Sequence, residues 1–284
     1  MTDARQGHLD GPDLLHQDAI RAAVRETYGA VRPIDRRVAE RFYGPDELAG
    51  LPEETVTIAL GVGNPIRYAE LAPGERVVDL GSGGGIDCLL AARRVGPTGQ
   101  VIGIDFLPEM IARATRAAAV VGARNIRFIQ AEIEALPLPD DSVDVVVSNG
   151  VPNLSPRKVR VLAEAFRVLR PGGRLAIVDL VLEHDLPPEI ATHPGAWAGC
   201  LSGALSELAL YKGLRRAGFG AVSIDRLGAF GVEECALYPL FSDDLLDLIR
   251  SRLSPERHGR IAQSVLVRAR KPRPGESLPG RARD

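Results

Sequence analysis

The residues best suited to chemistry are Asp79-Leu80-Gly81-Ser82-Gly83-Gly84-Gly85 and a second acid, Asp105. Glycines in such a run let the backbone turn sharply and come within contact distance of a ligand that side chains would exclude. An acid ending the next strand is placed to accept both hydroxyl hydrogens of a ribose. The run departs from the dinucleotide fingerprint G-x-G-x-x-G, because Ile86 stands where the last glycine is required. It also lacks the lysine of a phosphate-binding P-loop.

These residues need strands and helices to position them, and the flanking pattern supplies both. Arg76–Leu80, Val101–Asp105, Ile126–Gln130, Asp144–Ser148 and Arg174–Asp179 read as short apolar strands. Helical spacing occupies Ile86–Val95, Pro108–Val121 and Pro156–Leu169 between them. The alternation predicts an α/β, doubly wound, mainly parallel sheet with helices on both faces. Before it, Gln17 to Phe42 reads as two helices broken at Arg32-Pro33, and 66–71 as a further short helix. After it, 187–201 and 206–217 read as helices, 222–226 as a strand, 233–241 as strand or loop, 242–253 as a helix and 261–269 as a strand. The expected organisation is a flexible arm (1–17), an N-terminal helical cap (18–72), a ligand-binding domain (73–226), a small C-terminal extension (227–270) and a disordered tail (271–284).

The chain has 284 residues, 35 basic against 37 acidic, and three cysteines. Balanced charge gives no overall field for nucleic acid or an anionic membrane, so neither is an expected partner. Three cysteines make no disulfide framework, which points to a reducing cytoplasm. No apolar run approaches the roughly 20 residues of a membrane helix.

Taken in order, the glycine loop, Asp105-Phe106-Leu107, Ala131-Glu132-Ile133 and Leu169-Arg170-Pro171-Gly172-Gly173 resemble the class I S-adenosylmethionine-dependent methyltransferases. The resemblance implies a seven-stranded, Rossmann-like methyltransferase sheet and S-adenosyl-L-methionine as cofactor. It implies that Asp79, Gly81, Ser82, Gly83 and Gly85 form the loop around the methionine part, and that Asp105 and Phe106 flank the ribose. Glu132 and Ile133 would flank the adenine, Asn149 would face the sulfonium, and Met110 would also belong to the cofactor site. Tyr28, on the helix that covers the cofactor in this family, would meet the methionine carboxylate or serve as a core aromatic.

Further strings, among them Gly61-Val62-Gly63-Asn64-Pro65, Ser148-Asn149-Gly150-Val151 and Gly199-Cys200-Leu201-Ser202-Gly203-Ala204, resemble arsenite methyltransferases. That group holds As(III) through cysteine thiolates, and the resemblance places those thiols at Val62, Gly150 and Cys200. Only Cys200 is a cysteine, and a single thiol does not chelate a thiophilic centre. The expectation is therefore methyl transfer to a small organic acceptor at O, N, S or C, with no metal site. The acceptor pocket would be built around Val62, Gly150, Trp197 and Cys200. Asn149, Asp179 and His193 are the candidate catalytic residues, with a solvated surface the alternative for His193 and a cap or loop acceptor the alternative for Asp179. Arsenite or another soft nucleophile held by Cys200, and cofactor binding without methyl transfer, are the competing readings. A homodimer is compatible with the sequence.

Overall fold

The computed structural model describes residues 14–33 and 35–276; residues 1–13 of the expected arm, residue 34, and 277–284 of the expected tail lie outside them. Four helices come first: α1 (Leu14–Ala30), α2 (Arg37–Phe42), α3 (Pro45–Leu48) and α4 (Glu53–Thr57). The alternating part follows as β1 (Arg76–Leu80), α5 (Ile86–Val95), β2 (Gln100–Asp105), α6 (Pro108–Val120), β3 (Ile126–Gln130), β4 (Val143–Asn149), α7 (Lys158–Val168) and β5 (Leu169–Val181). The chain then forms α8 (Pro188–Ala191), α9 (Pro194–Ala198), α10 (Glu207–Ala217), β6 (Gly220–Phe230), α11 (Val232–Cys235), α12 (Asp243–Arg252), α13 (Pro255–His258) and β7 (Ala262–Arg270).

The seven strands lie in the order β3-β2-β1-β4-β5-β7-β6. β1 to β5 pair in parallel, and β7 runs antiparallel to both β5 and β6. Val77, Val78, Leu80 and Val145–Val147 are fully buried, because helices cover both faces of the central strands. The strand order reverses between β1 and β4, so the loops leaving their carboxyl ends diverge and open a crevice there.

Several elements differ from expectation for local reasons. The stretch 187–201 is two short helices, since Pro194 disfavours helical geometry at His193 and restarts the helix after it. Residues 66–71 hold only a 3-10 turn, Pro65–Arg67, whose first residues are fixed by the Asn64 side chain accepting from the Arg67 N–H. Part of the stretch 233–241 is helical, as α11. The boundary drawn at 226/227 falls inside β6, and β7 is inserted between β5 and β6, so this segment completes the sheet rather than extending it. Residues 14–17 already belong to α1. At the other end, Lys271 packs back, its Nζ donating to Asp141 Oδ1 at 2.6 Å and the Phe166 carbonyl at 2.9 Å. Other ends follow the sequence closely: Ser206 and Ser242 cap α10 and α12 by accepting from Ala209 and Leu245 N–H.

Candidate functional site

A cleft of about 1140 Å³, counted to its open mouth, lies over the carboxyl ends of β1, β2 and β4 with α1 across it. The glycine loop forms its floor. Gly81 has φ 76°, and a side chain there would run into Val151 from the loop after β4. Only glycine satisfies both the backbone conformation and the close approach. Asp105 is 7% exposed; its Oδ2 accepts from Gly83 N–H and its Oδ1 from Leu107 N–H, both at 2.9 Å. Each oxygen keeps a lone pair after those bonds, so the carboxylate still accepts two hydroxyl hydrogens. Ser82 Oγ, in the same loop, is buried without a hydrogen-bond partner among the described residues. An open glycine cradle, an acid with spare lone pairs and an orphaned hydroxyl fit a ribose-bearing ligand with polar ends.

The apolar side of the cleft is built by Ile58, Leu107, Met110 and Ile133, with Phe106 beside them. Arg25 lies 5.5 Å above the Phe106 ring, and Arg21 places its guanidinium 3.6 Å from Glu132 and 3.8 Å from Glu134. Tyr28 also lines the cleft, but its hydroxyl donates to the Ala198 carbonyl at 2.9 Å, so α1 is tied to α9 rather than the hydroxyl being held for a carboxylate. Asp79 and Gly85 sit behind the loop, outside the lining. Asp79 accepts from the Cys88 thiol at 3.3 Å.

Asn149 lines the cleft with both ends of its amide engaged. Its Oδ1 accepts from Val62 N–H at 2.9 Å and Gly63 N–H at 3.2 Å. Its Nδ2 donates to the Gly63 carbonyl, the Tyr43 hydroxyl and Asp87 Oδ2, at 2.8, 3.0 and 3.1 Å. Tyr238 and Ser264 clasp the same loop, donating to the carbonyls of Gly61 and Val62, each at 2.9 Å. Asn149 therefore positions the 61–63 loop against the sheet.

The other two candidates for catalysis are spent on structure. Asp179 is 3% exposed and accepts from Leu180 N–H (2.8 Å), Asn153 N–H (3.1 Å) and Asn153 Nδ2 (2.8 Å). It does not line the cleft. Burial pushes its carboxyl up to about 7 against those stabilising bonds. His193 caps α9, its Nδ1 accepting from Gly195 N–H at 3.1 Å, and this too lies off the cleft.

Val62, Gly150 and Cys200, far apart in sequence, do come together. The Cys200 thiol donates to the Gly150 carbonyl at 2.9 Å, and a Cβ on Gly150 would stand 3.5 Å from a Val62 methyl. Of the expected acceptor wall only Gly150 faces the cleft; Val62 and Cys200 are packed behind it, 3% and 4% exposed. Trp197 is likewise behind, its indole donating to the Leu154 carbonyl at 3.2 Å and its ring carrying Lys158 Nζ at 5.1 Å. Burial draws Lys158 down to about 8 and pushes the Cys200 thiol well above its ordinary value.

Asp87, Tyr43 and Lys158 were not singled out from sequence. The signal available for Asp87 was an acid in the first turn of the helix leaving the glycine loop. Tyr43 and Lys158 carry no comparable mark, since each matters through neighbours distant in the chain.

A family model described as a methyltransferase domain matches residues 71–218. The arsenite methyltransferase of Halobacterium salinarum is 47% identical over 182 residues, which is 64% of this chain and 46% of that protein. Human arsenite methyltransferase is 37% identical over 197 residues, 65% of this chain and 50% of that protein. The chain thus spans about half the length of the curated relatives it matches. Among solved structures, an arsenic(III) S-adenosylmethionine methyltransferase from Chlamydomonas reinhardtii is 31% identical with a TM-score of 0.56, covering 90% of this chain and 75% of that one.

Proposed function

Because the chain belongs to the methyltransferase-domain family, we propose that it transfers the methyl group of S-adenosylmethionine to a small organic acceptor, at O, N, S or C. S-adenosylmethionine supplies, when bound, a methyl group on a positively charged sulfur. Asp105 would hold the ribose hydroxyls, the loop 81–84 would admit the methionine part, and Leu107, Met110 and Ile133 would enclose the adenine. Arg21, Val24 and Tyr28 of α1 line the cleft, and a pre-positioned site suits an in-line displacement that depends mainly on placing the nucleophile near the methyl.

The observation that carries the choice of acceptor is the Val62–Gly150–Cys200 meeting point, which holds one thiol. Arsenic(III) binding calls for several soft sulfur donors. Cys88 is committed to Asp79, and Cys235 is buried in α11. Among the described residues no three His, Cys, Asp or Glu side chains gather to share a metal ion. The cleft wall near Asn149 is instead apolar and small: Leu60, Gly150, Val151 and Leu154. The similarity to arsenite methyltransferases supports the second reading, arsenite held through Cys200.

A cytoplasmic location belongs to the same proposal, supported by three buried free thiols. Among the described residues no helix is long and apolar enough to cross a membrane.

Calorimetry with S-adenosylmethionine tests the reading. Micromolar binding that weakens at least about tenfold in Asp105→Ala is expected, as a buried carboxylate–hydroxyl pair is lost. No binding by the wild type would overturn it.

A further inference from the structure

Beneath the cleft lies a pair of buried acids that, among the described residues, has no cation bonded to it. Asp87 lines the cleft, 4% exposed, and Asp79 lies behind it, 2% exposed. The groups around Asp87 come from every neighbouring element. The Tyr43 hydroxyl, after α2, donates to Oδ1 at 2.8 Å, and Asn149 of β4 donates to Oδ2 at 3.1 Å. Asp79 of β1 and its thiol donor Cys88 stand next to it, and Glu47 of α3 adds negative charge from further off. Glu47 is itself paired with Arg67 at 2.7 Å. Among the described residues no lysine, arginine or histidine is bonded to either aspartate.

Two acids held in a low-dielectric site by neutral donors alone are costly, and the cost is relieved by a positive charge in the adjoining cleft. The ligand proposed above carries such a charge only before it reacts. When an acceptor lone pair takes the methyl, the C–S bonding pair stays on sulfur, which becomes a neutral thioether. The positive charge passes to the acceptor or leaves from it as a proton.

We propose that Asp87 reads the charge on the ligand's sulfur, favouring the methyl-bearing sulfonium over the demethylated product and so promoting product release. This rests on the methyl-transfer reading. The two ligands share the adenosine, ammonium and carboxylate groups, so the ratio of their affinities isolates the sulfur and its methyl. Burial first, and Glu47 last, lift the Asp87 carboxyl to about 6, so the discrimination is present at pH 8 and fades toward pH 5.

The test is calorimetry of S-adenosylmethionine and S-adenosylhomocysteine with the wild type, Asp87→Asn and Tyr43→Phe. The ratio of the two dissociation constants, product over cofactor, should fall about fivefold in Asp87→Asn, equivalent to about 1 kcal/mol. It should hold in Tyr43→Phe at pH 8, which keeps the carboxylate, and should fall in the wild type between pH 8 and pH 5. Parallel losses that leave the ratio constant in Asp87→Asn would overturn the role of Asp87. Should Asp87→Asn not fold, a wild-type ratio that is the same at both pH values overturns it equally. A wild type that binds neither ligand would instead overturn the methyl-transfer reading beneath it.

Discussion

The Cys200 thiol donates to the Gly150 carbonyl at 2.9 Å, joining the segment after α9 to the loop that follows β4. Gly150 N–H in turn donates to the Val178 carbonyl at 2.8 Å, so the cleft wall is fixed from both sides. A thiol used this way is a structural donor, held protonated by burial. Serine at position 200 keeps a donor of similar reach, whereas alanine leaves the buried carbonyl unpaired. Cys200→Ala should lower unfolding stability by about 1 to 2 kcal/mol, and Cys200→Ser by less than about half of that. Denaturant melts of the two variants decide it; equal, negligible effects would show that the bond does not matter.

Gly61 tests the clasp on the opposite wall. A Cβ there would overlap the amide of Asn149, whose five bonds organise the 61–63 loop, Tyr43 and Asp87. The loop backbone has no slack, because Tyr238 and Ser264 hold its carbonyls. Gly61→Ala should cost about 2 kcal/mol in stability through overpacking, and should weaken S-adenosylmethionine binding as well. Wild-type stability and affinity in this variant would contradict the described loop.

The buried acids set a pH dependence. Asp79, Asp87, Asp105 and Asp179 are all raised above the ordinary aspartate value, chiefly by burial, Asp87 to about 6 and Asp179 to about 7. Between the unfolded value near 4 and these folded values, the native state binds more protons than the unfolded state. Stability contributed by these groups is therefore complete below about pH 4 and is lost as pH rises through 6 and 7. Lys158, drawn down to about 8, adds the reverse slope above that point, where the unfolded lysine still binds its proton. The melting temperature should fall from pH 5 to pH 7.5. A steady rise over that interval would contradict the burial of these carboxyls.

The parts of the site that come from consecutive residues were legible in the sequence. Gly81 to Gly84 and Asp105 are adjacent to strands whose apolar runs are unambiguous, and they line the cleft, while Gly85 sits just behind it. What could not be read is how a polar side chain is spent once distant segments meet. Asn149 looked free to face a ligand, yet its partners come from positions 43, 62, 63 and 87. His193 looked like a base, yet the Pro194 beside it makes it the cap of a new helix. Asp179 sits at the edge where ligands bind in such sheets, but the turn at Asn153 supplies two of its three donors. The insertion of β7 was invisible for a related reason: an apolar run shows that a strand exists and not which neighbours it joins.

We propose that this methyltransferase-family chain serves an acceptor other than arsenite. The direct measurement is incubation of the protein, under conditions where S-adenosylmethionine binding has been verified, with methyl-labelled S-adenosylmethionine, arsenite and a thiol reductant. No methylated arsenic above the protein-free control is expected. Methylarsenic products that disappear in Cys200→Ser would contradict it.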